Sequence, residues 1–342
     1  MRINRLKYKK YCFPLSSPLQ ISNQIITKKE SIIIEAEDQN GNVHYGEVSP
    51  LLGFSKESLE DCETKLIEII GNKISSNINS LNQELANLPQ LPALLFGLEQ
   101  IIFSVNENKF FNDNEVKSLK TNGLVGIKSI DETLDHVEKL NKIGFDTIKL
   151  KIGRSNFQED YVIIKKLDKI FSRKIKLRLD NNSGWELSEA KEYIEELSEF
   201  NIEYIEQPVE STKELLALAN SSKIKIAVDE SLNNYQEALH FIESGAIDFF
   251  VLKPTIRIGL NESIRIIELA NSEGINIIIS SAFETAIGRN ILLYLASQVN
   301  HALAHGLNTE LIGSNIIGSE FNYTSPKIDF KNSKLFNSVY LG

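Results

Sequence analysis

Residues 147–153 read TIKLKIG, with Lys149 and Lys151 two apart in a stretch that has the alternation and β-branched residues of a strand. Side chains on a strand alternate faces, so both ammonium groups point the same way. Charged residues recur at the ends of the strand-like segments that follow. LRLDNN sets Arg178, Asp180 and Asn182 on one face, and YIEQP ends on Glu206. AVDES ends on Asp229 and Glu230, VLKP on Lys253, and ISSAFE on Ser280, Ser281 and Glu284. One carboxylate at a strand end is ordinarily a cap for the next helix. Three successive strands ending in Asp180, Glu206 and Asp229 call for more, because adjacent strands lie only ~4.8 Å apart. Anions that close raise one another's pKa unless a cation neutralises them. Hard oxygen ligands at this density suit Mg²⁺, with Mn²⁺ the alternative, and such an ion keeps positions open for substrate.

Lys151 and Lys253, on the second and sixth strands, would face each other across a barrel mouth. A lysine beside a divalent cation and a second lysine has its ammonium form disfavoured, which moves it toward a working base. A metal that holds a substrate carboxylate stabilises the enediolate left when an α-proton departs. The constellation suits removal of a proton next to a carboxylate.

Positioning these groups requires a particular order of elements. From about residue 116, short apolar strands alternate with amphipathic helices: SLKTNGLV, DTIKLKIG, IKLRLDN, IEYIEQP, IKIAVDES, IDFFVLKP, INIIISSAF and HALAHGLNT. Helical segments fall near 131–143, 156–171, 188–199, 212–221, 234–244, 260–273 and 287–299. Eight strands with seven helices between them predict a parallel α/β barrel, whose functional groups gather at the carboxyl edge. A doubly wound open sheet is the structural alternative. The first hundred residues instead read as strands (2–12, 31–37, 44–50) followed by helices (55–71, 92–107), a small α+β domain. Ser55 is the expected N-cap of the first helix. The boundary falls in the polar stretch near 108–115.

A net charge of −9 disfavours nucleic acid or an anionic membrane as partner, and leaves a small carboxylate substrate as the expected ligand. Cys12 and Cys62 fit neither a redox pair nor a zinc spacing, and with no signal-peptide pattern or membrane-length apolar run the expectation is a soluble cytoplasmic protein. No GxGxxG or GxxxxGK[ST] marks a nucleotide fold. His301 and His305 stand four apart, but on a strand or loop rather than a helix, so a structural role is expected. Trp185 is expected to pack its loop, and His44 to lie at the surface.

The order KxK, Asp, Glu, Asp, Lys on consecutive strand ends resembles the enolase superfamily, specifically its muconate-lactonising subgroup. Within it, GEVSPLLGFSKESLED at 46–61, LKPTIRIG at 252–259 and ISSAFETAIG at 279–288 resemble the o-succinylbenzoate synthase family. The resemblance implies a (β/α)7β TIM-like barrel over 113–310, an N-terminal α+β capping domain over 1–112, and a C-terminal segment, 311–342, that packs back on the capping domain. It implies Asp180, Glu206 and Asp229 as metal ligands and Lys151 as the acid/base. Lys149 would support the substrate carboxylate and depress the pKa of Lys151, and Lys253 would act as the cation on the opposite face. Asn182 and Glu230 would orient ligands, Ser281 and Glu284 would line the pocket, and the 46–61 loop would close over substrate. The implied reaction is a Mg²⁺-dependent syn dehydration of 2-succinyl-6-hydroxy-2,4-cyclohexadiene-1-carboxylate to 2-succinylbenzoate, in menaquinone biosynthesis. N-acylamino acid racemisation or dipeptide epimerisation on the same two lysines is the alternative. No Asp-x-Asp follows the eighth strand, where HGLNTEL stands, and the dipeptide epimerases resembling this scaffold use acidic residues there.

Overall fold

The computed structural model describes residues 3–21, 24–71, 81, 85, 88, 91–106, 116–309, 317–318, 322, 324–331 and 340–341. The polar boundary expected near 108–115, and most of the segment beyond residue 310, lie outside the described residues. The chain opens with a long antiparallel hairpin, β1 (Ile3–Ile21) and β2 (Gln24–Asp38), and β3 (Val43–Val48) pairs antiparallel with β2. Against this sheet lie α1 (Leu59–Gly71) and α2 (Pro92–Asn106). The run of isoleucines in β2 is continuous because both its faces are covered. Ile32, Ile34 and Ala36 pack on α1 and α2, while Ile33 packs with Phe13, Ala286 and Ile287. Ser58, not Ser55, caps α1: Ser58 Oγ accepts the Asp61 N–H at 3.1 Å and Asp61 Oδ2 accepts the Ser58 N–H at 2.9 Å. Ser55 Oγ instead accepts the Leu51 N–H at 2.9 Å, tightening the preceding loop.

The close approach of α2 to β3 depends on a missing side chain. A Cβ at Gly46 would stand 2.0 Å from the carbonyl oxygen of Gly97. Backbone cannot yield as a side-chain tip can, so Gly46→Ala is expected to destabilise the protein by about 3 kcal/mol. Denaturant unfolding of the two proteins measures it, and an unchanged midpoint would contradict the packing.

The rest of the chain alternates. The strands β5 (Gly123–Val125), β6 (Thr147–Lys151), β7 (Lys176–Asp180), β8 (Ile202–Glu206), β9 (Ile226–Val228), β10 (Phe249–Leu252) and β11 (Asn276–Ile279) form one parallel sheet in sequence order. The helices between them are α3 (Ile130–Ile143), α4 (Phe157–Phe171), α5 (Leu187–Leu197), α6 (Thr212–Ser221), α7 (Tyr235–Ser244), α8 (Leu260–Glu273) and α9 (Ala286–Ser297). The sheet closes through residues 305–306. Gly306 donates to Ile279 O at 2.8 Å, His305 donates to Lys120 O at 2.8 Å, and Asn122 donates to His305 O at 2.9 Å. The architecture is a (β/α)7β barrel with an N-terminal α+β layer.

Two strand expectations change in detail. The eighth strand shrinks to bridges at His305 and Gly306, where His305 Nδ1 also accepts the Ile279 N–H at 3.1 Å. The expected first strand divides at Thr121–Asn122: β4 (Val116–Lys120) pairs antiparallel with β12 (Lys327–Lys331), and only β5 enters the barrel. Among the described residues no helix is long and apolar enough to cross a membrane.

Two buried carboxylates join the N-terminal layer to the barrel. Glu47, on β3, accepts from the Thr285 and Gly288 N–H groups, and Glu99, on α2, accepts from those of Leu260 and Asn261. Burial pushes the Glu99 carboxyl up from 4.5 to about 7, against the two N–H groups, which favour its ionised form. A pKa raised on folding means that the folded state binds the extra proton. The stability contributed is fully present below the unfolded value and is lost as pH rises through about 7. Glu99→Gln, neutral throughout, is therefore expected to gain stability relative to the parent from about pH 5 to about pH 8. Melting temperatures of both proteins across that range measure it, and a difference independent of pH would refute it.

Candidate active site

The register of the parallel sheet sets the site. Lys151 is the backbone partner of Asp180, and Asp180 of Glu206, so three neighbouring strands deliver these side chains at one level of the carboxyl edge. Asp229 lies two residues beyond Ala227, the partner of Glu206, and Lys253 follows the last residue of β10. Lys149 donates to Glu206 Oε1 at 2.6 Å and lies 3.0 Å from Asp180 Oδ2. Lys151 touches the cluster only through Asp180 Oδ1, at 3.5 Å. Lys253 is paired with Asp229. Asn182 donates its side-chain amide to Glu230 Oε1 at 2.8 Å and its backbone N–H to Asp180 Oδ1 at 3.1 Å.

Eight of the ten residues that the resemblance implies for the site thus meet in one place. Ser281 and Glu284 are employed differently. Glu284 is fully buried and accepts from Ser281 Oγ at 2.6 Å and from the Ala282 N–H at 2.9 Å, while Ser281 Oγ also lies 2.7 Å from Thr309 Oγ1. Their polar atoms build the turn after β11, which Phe283 enters with a left-handed φ of 66°.

Burial disfavours the ammonium of Lys149, yet Asp180 and Glu206 overcompensate and hold its pKa well above the ordinary lysine value. These two carboxylates therefore hold Lys149 as an ammonium. Lys253 is raised too, with Asp229 and Glu230 outweighing burial. Burial raises Asp180 and Asp229, but the lysines win: Lys149, Lys151 and Lys253 hold Asp180 well below the carboxylate range, and Lys253 and Arg257 hold Asp229 down. Glu206 goes the other way. Burial, aided by the charges of Asp180 and Asp229, pushes it up to about 8 against the pull of Lys149. Glu230 rises to about 7, through burial and then Asp229.

The donor set fits a hard divalent cation. Glu206 Oε2, Asp229 Oδ1 and Glu230 Oε2 are buried and meet no hydrogen-bond donor among the described residues, and such orphaned anionic oxygens are costly unless a cation satisfies them. Among the described residues no three acidic, histidine or cysteine side chains are drawn together as a finished metal cage. Asp180, Glu206 and Asp229 each lean on a lysine instead.

Several residues at the mouth lie outside the strand-end pattern. The Phe54 ring sits 5.6 Å from Lys253 Nζ, and Leu51 and Phe54 pack with Ile256, Ala282 and Phe283, so the loop after β3 covers the mouth. Lys29, buried and pushed down to about 8 by that burial, donates to Ser49 O at 3.0 Å and Pro50 O at 2.6 Å, fixing the loop's root. Gln207, at a left-handed φ of 39°, accepts the Asp229 N–H at 3.1 Å and so ties the end of β8 to that of β9. The residue following Glu206 in YIEQP was the available signal for Gln207; Lys29 left none, since a lysine on a surface strand looks solvated.

The residues set aside behave structurally. His301 Nε2 accepts the Ile277 N–H at 3.0 Å, holding the 301–305 segment to β11. Trp185 packs edge-on against Phe157 and Tyr193. His44 is partly buried, with Nδ1 2.8 Å from Ser104 Oγ. Cys12 and Cys62 are free thiols, and burial pushes that of Cys62 up to about 12.

Comparison with known proteins agrees with this fold. Residues 132–328 match the family model described as "Enolase C-terminal domain-like", and residues 2–104 match "MenC, N-terminal domain". An o-succinylbenzoate synthase of Thermosynechococcus vestitus is 29% identical over 312 residues, covering 89% of this chain and 92% of that protein. An L-Ala-D/L-Glu epimerase of Francisella tularensis subsp. novicida is 26% identical, covering 89% of each. The solved structure of a dipeptide epimerase from Enterococcus faecalis, complexed with Mg and the dipeptide L-Leu-L-Tyr, superposes with a TM-score of 0.87 at 24% identity, over 98% of this chain and 99% of that one.

Proposed function

The chain belongs to the enolase C-terminal domain-like family, and from that premise we propose that it is a Mg²⁺-dependent o-succinylbenzoate synthase. The reading is carried by one observation, the inequality of the two lysines. Lys253 has 10% of its side chain exposed, is paired with Asp229 and lies beneath the Phe54 ring. Lys151 is 28% exposed, and among the described residues its one polar contact is with Asp180 Oδ1 at 3.5 Å. A racemase or epimerase needs a proton-transferring base on both faces of the substrate carbon. A syn dehydration needs one, with a fixed cation opposite.

The residues then divide the work. Asp180, Glu206 and Asp229 would hold the metal, which when bound supplies a Lewis acid for the substrate carboxylate and for the negative charge that develops there. Lys151, as the free amine, takes the proton from the carbon bearing the carboxylate. The C–H electron pair moves toward the carboxylate and returns to form the new ring double bond as the C–O bond breaks. Lys151, now an ammonium, gives that proton to the departing hydroxyl on the same face, so that water leaves and the aromatic ring remains. Lys253, held as a cation by Asp229 and Glu230, balances the developing anion from the other face. The 51–54 loop keeps water from it.

Incubation with 2-succinyl-6-hydroxy-2,4-cyclohexadiene-1-carboxylate and Mg²⁺ is expected to yield 2-succinylbenzoate; absence of turnover would reject the reading. The epimerase reading is favoured by the 26% identity to a curated epimerase, close to the 29% of the synthase. It predicts deuterium at Cα of a dipeptide or N-acylamino acid incubated in D₂O, with both configurations at that carbon labelled.

A further inference from the structure

We propose that Glu47 and Glu99, both in the N-terminal layer, are positioning residues for the reaction: each caps a barrel helix from across the domain junction and thereby fixes the strand-end turn before it. Lys253 and the Ser281–Glu284 turn would owe their placement to carboxylates that never touch substrate.

The connection to Lys253 runs through backbone. Glu99 Oε2 accepts the Leu260 N–H at 2.6 Å and the Asn261 N–H at 3.2 Å, the first free donors of α8. Just before them, Gly259 donates to Pro254 O at 2.8 Å, closing a π-helical turn over Pro254–Ile258 whose Arg257 N–H donates to Lys253 O at 3.2 Å. Such π turns are rare and occur frequently at functional sites. Gly259 has a φ of +87°, and a Cβ there would stand 3.0 Å from Glu99 Oε2, so the glycine leaves room for the carboxylate.

Glu47 does the same at the next turn. Its Oε1 accepts from the Thr285 N–H at 2.9 Å and Ser31 Oγ at 3.2 Å; its Oε2 accepts from Thr285 Oγ1 at 2.6 Å and the Gly288 N–H at 3.0 Å. Thr285 is the N-cap of α9 and follows Glu284 directly. The two carboxylates are themselves tied together. Gln100, the neighbour of Glu99, accepts the Glu47 N–H at 3.3 Å and donates to Glu47 O at 3.3 Å. One rigid unit, β3 with α2, therefore sets both turns at a fixed separation.

The geometry predicts different responses to the amide isostere. Glu99 accepts both N–H groups through one oxygen, which glutamine retains. Glu47 accepts through both, so one end of a glutamine there would present N–H to N–H. Steady-state kinetics of Glu99→Ala, Glu99→Gln, Glu47→Ala and Glu47→Gln test this on the full chain with Mg²⁺, using whichever substrate the parent turns over. Glu99→Ala is expected to lower kcat about tenfold or more with KM nearly unchanged, the signature of a misplaced group rather than lost binding. Glu99→Gln should recover most of that loss, while Glu47→Gln should behave like Glu47→Ala. Parental kcat in Glu99→Ala, failure of Glu99→Gln to recover, or parental behaviour of Glu47→Gln would each overturn the proposal. It rests on the proposed role of Lys253, so a second readout needs no substrate. Amide hydrogen exchange in Glu99→Ala should rise about tenfold at 253–261 and not at 281–289, with the reverse pattern in Glu47→Ala. Loss of that locality would overturn the positioning itself. Locality without any turnover in the parent would instead count against the assigned reaction.

Discussion

Replacing Lys151 with alanine is expected to lower turnover by about 10²- to 10⁴-fold, the range that a positioned acid–base group contributes, while leaving the fold intact. Lys151 is the most exposed of the three lysines at 28%, and its single 3.5 Å contact with Asp180 is replaceable by water. A loosely held ion pair of this kind contributes only about 0–1 kcal/mol. Lys149 makes the contrast. Its removal would leave Asp180 and Glu206 buried, at 7% and 0% exposure, without their nearest cation. Breaking a buried pair from one side costs about 3–5 kcal/mol, so a lost rate in Lys149→Ala could report misfolding. Lys151→Ala avoids that ambiguity. A melting temperature within a degree or two of the parent, together with the lost rate, would place the effect in the chemistry. Lys253→Arg keeps the charge on the opposite face and should retain part of a dehydratase activity, whereas an epimerase would lose one direction of proton transfer. Turnover near the parental rate in Lys151→Ala would remove that lysine from the acid/base role.

The site cluster was legible because strand geometry is rigid. Two-residue spacing puts Lys149 with Lys151, and parallel register puts Lys151, Asp180 and Glu206 side by side, so strand ends can be read off a sequence as a list of neighbours. Closure of the barrel was less legible, since it is made by bridges at only His305 and Gly306 within a segment whose polar histidines break the strand pattern. The turn after β11 was less legible for a related reason. Ser281 and Glu284 are polar residues at a strand end, as Asp180 is, but they hydrogen-bond to each other within the turn and Ser281 also to Thr309, which no periodicity reveals. Glu47 and Glu99 were hidden by distance along the chain. Glu47 meets Thr285 across 238 residues and Glu99 meets Leu260 across 161, and a lone glutamate on a strand or helix carries no sign of a helix terminus waiting elsewhere. Ser58 displaced Ser55 as the cap of α1 because Asp61, three residues on, completes a reciprocal pair of bonds that Ser55 cannot make.

Removing divalent cations with a chelator is expected to abolish turnover and Mg²⁺ to restore it, and Glu206→Gln should make the protein insensitive to the ion. Glu206 is fully buried, its Oε1 is satisfied by Lys149 at 2.6 Å, and its Oε2 meets no donor among the described residues. Without a cation, burial pushes this carboxyl up to about 8, so the ionised form is already disfavoured near neutral pH. An uncharged amide of the same shape should then be tolerated, with its oxygen still accepting from Lys149. The metal-free variant is expected to melt close to the metal-free parent. The difference should emerge on adding the ion: at a Mg²⁺ concentration of about 100 times its dissociation constant, the parent gains about 2.7 kcal/mol. The variant has lost the anionic oxygen that the cation would satisfy, so it should gain almost nothing. Asp229→Asn is a harsher test of the same centre, because it also withdraws the counter-charge from Lys253, and should lower stability as well as metal response. Equal stabilisation of parent and Glu206→Gln by Mg²⁺, or full turnover in chelated protein, would move the metal away from Asp180, Glu206 and Asp229. The three buried carboxylates would then be explained by their lysines alone.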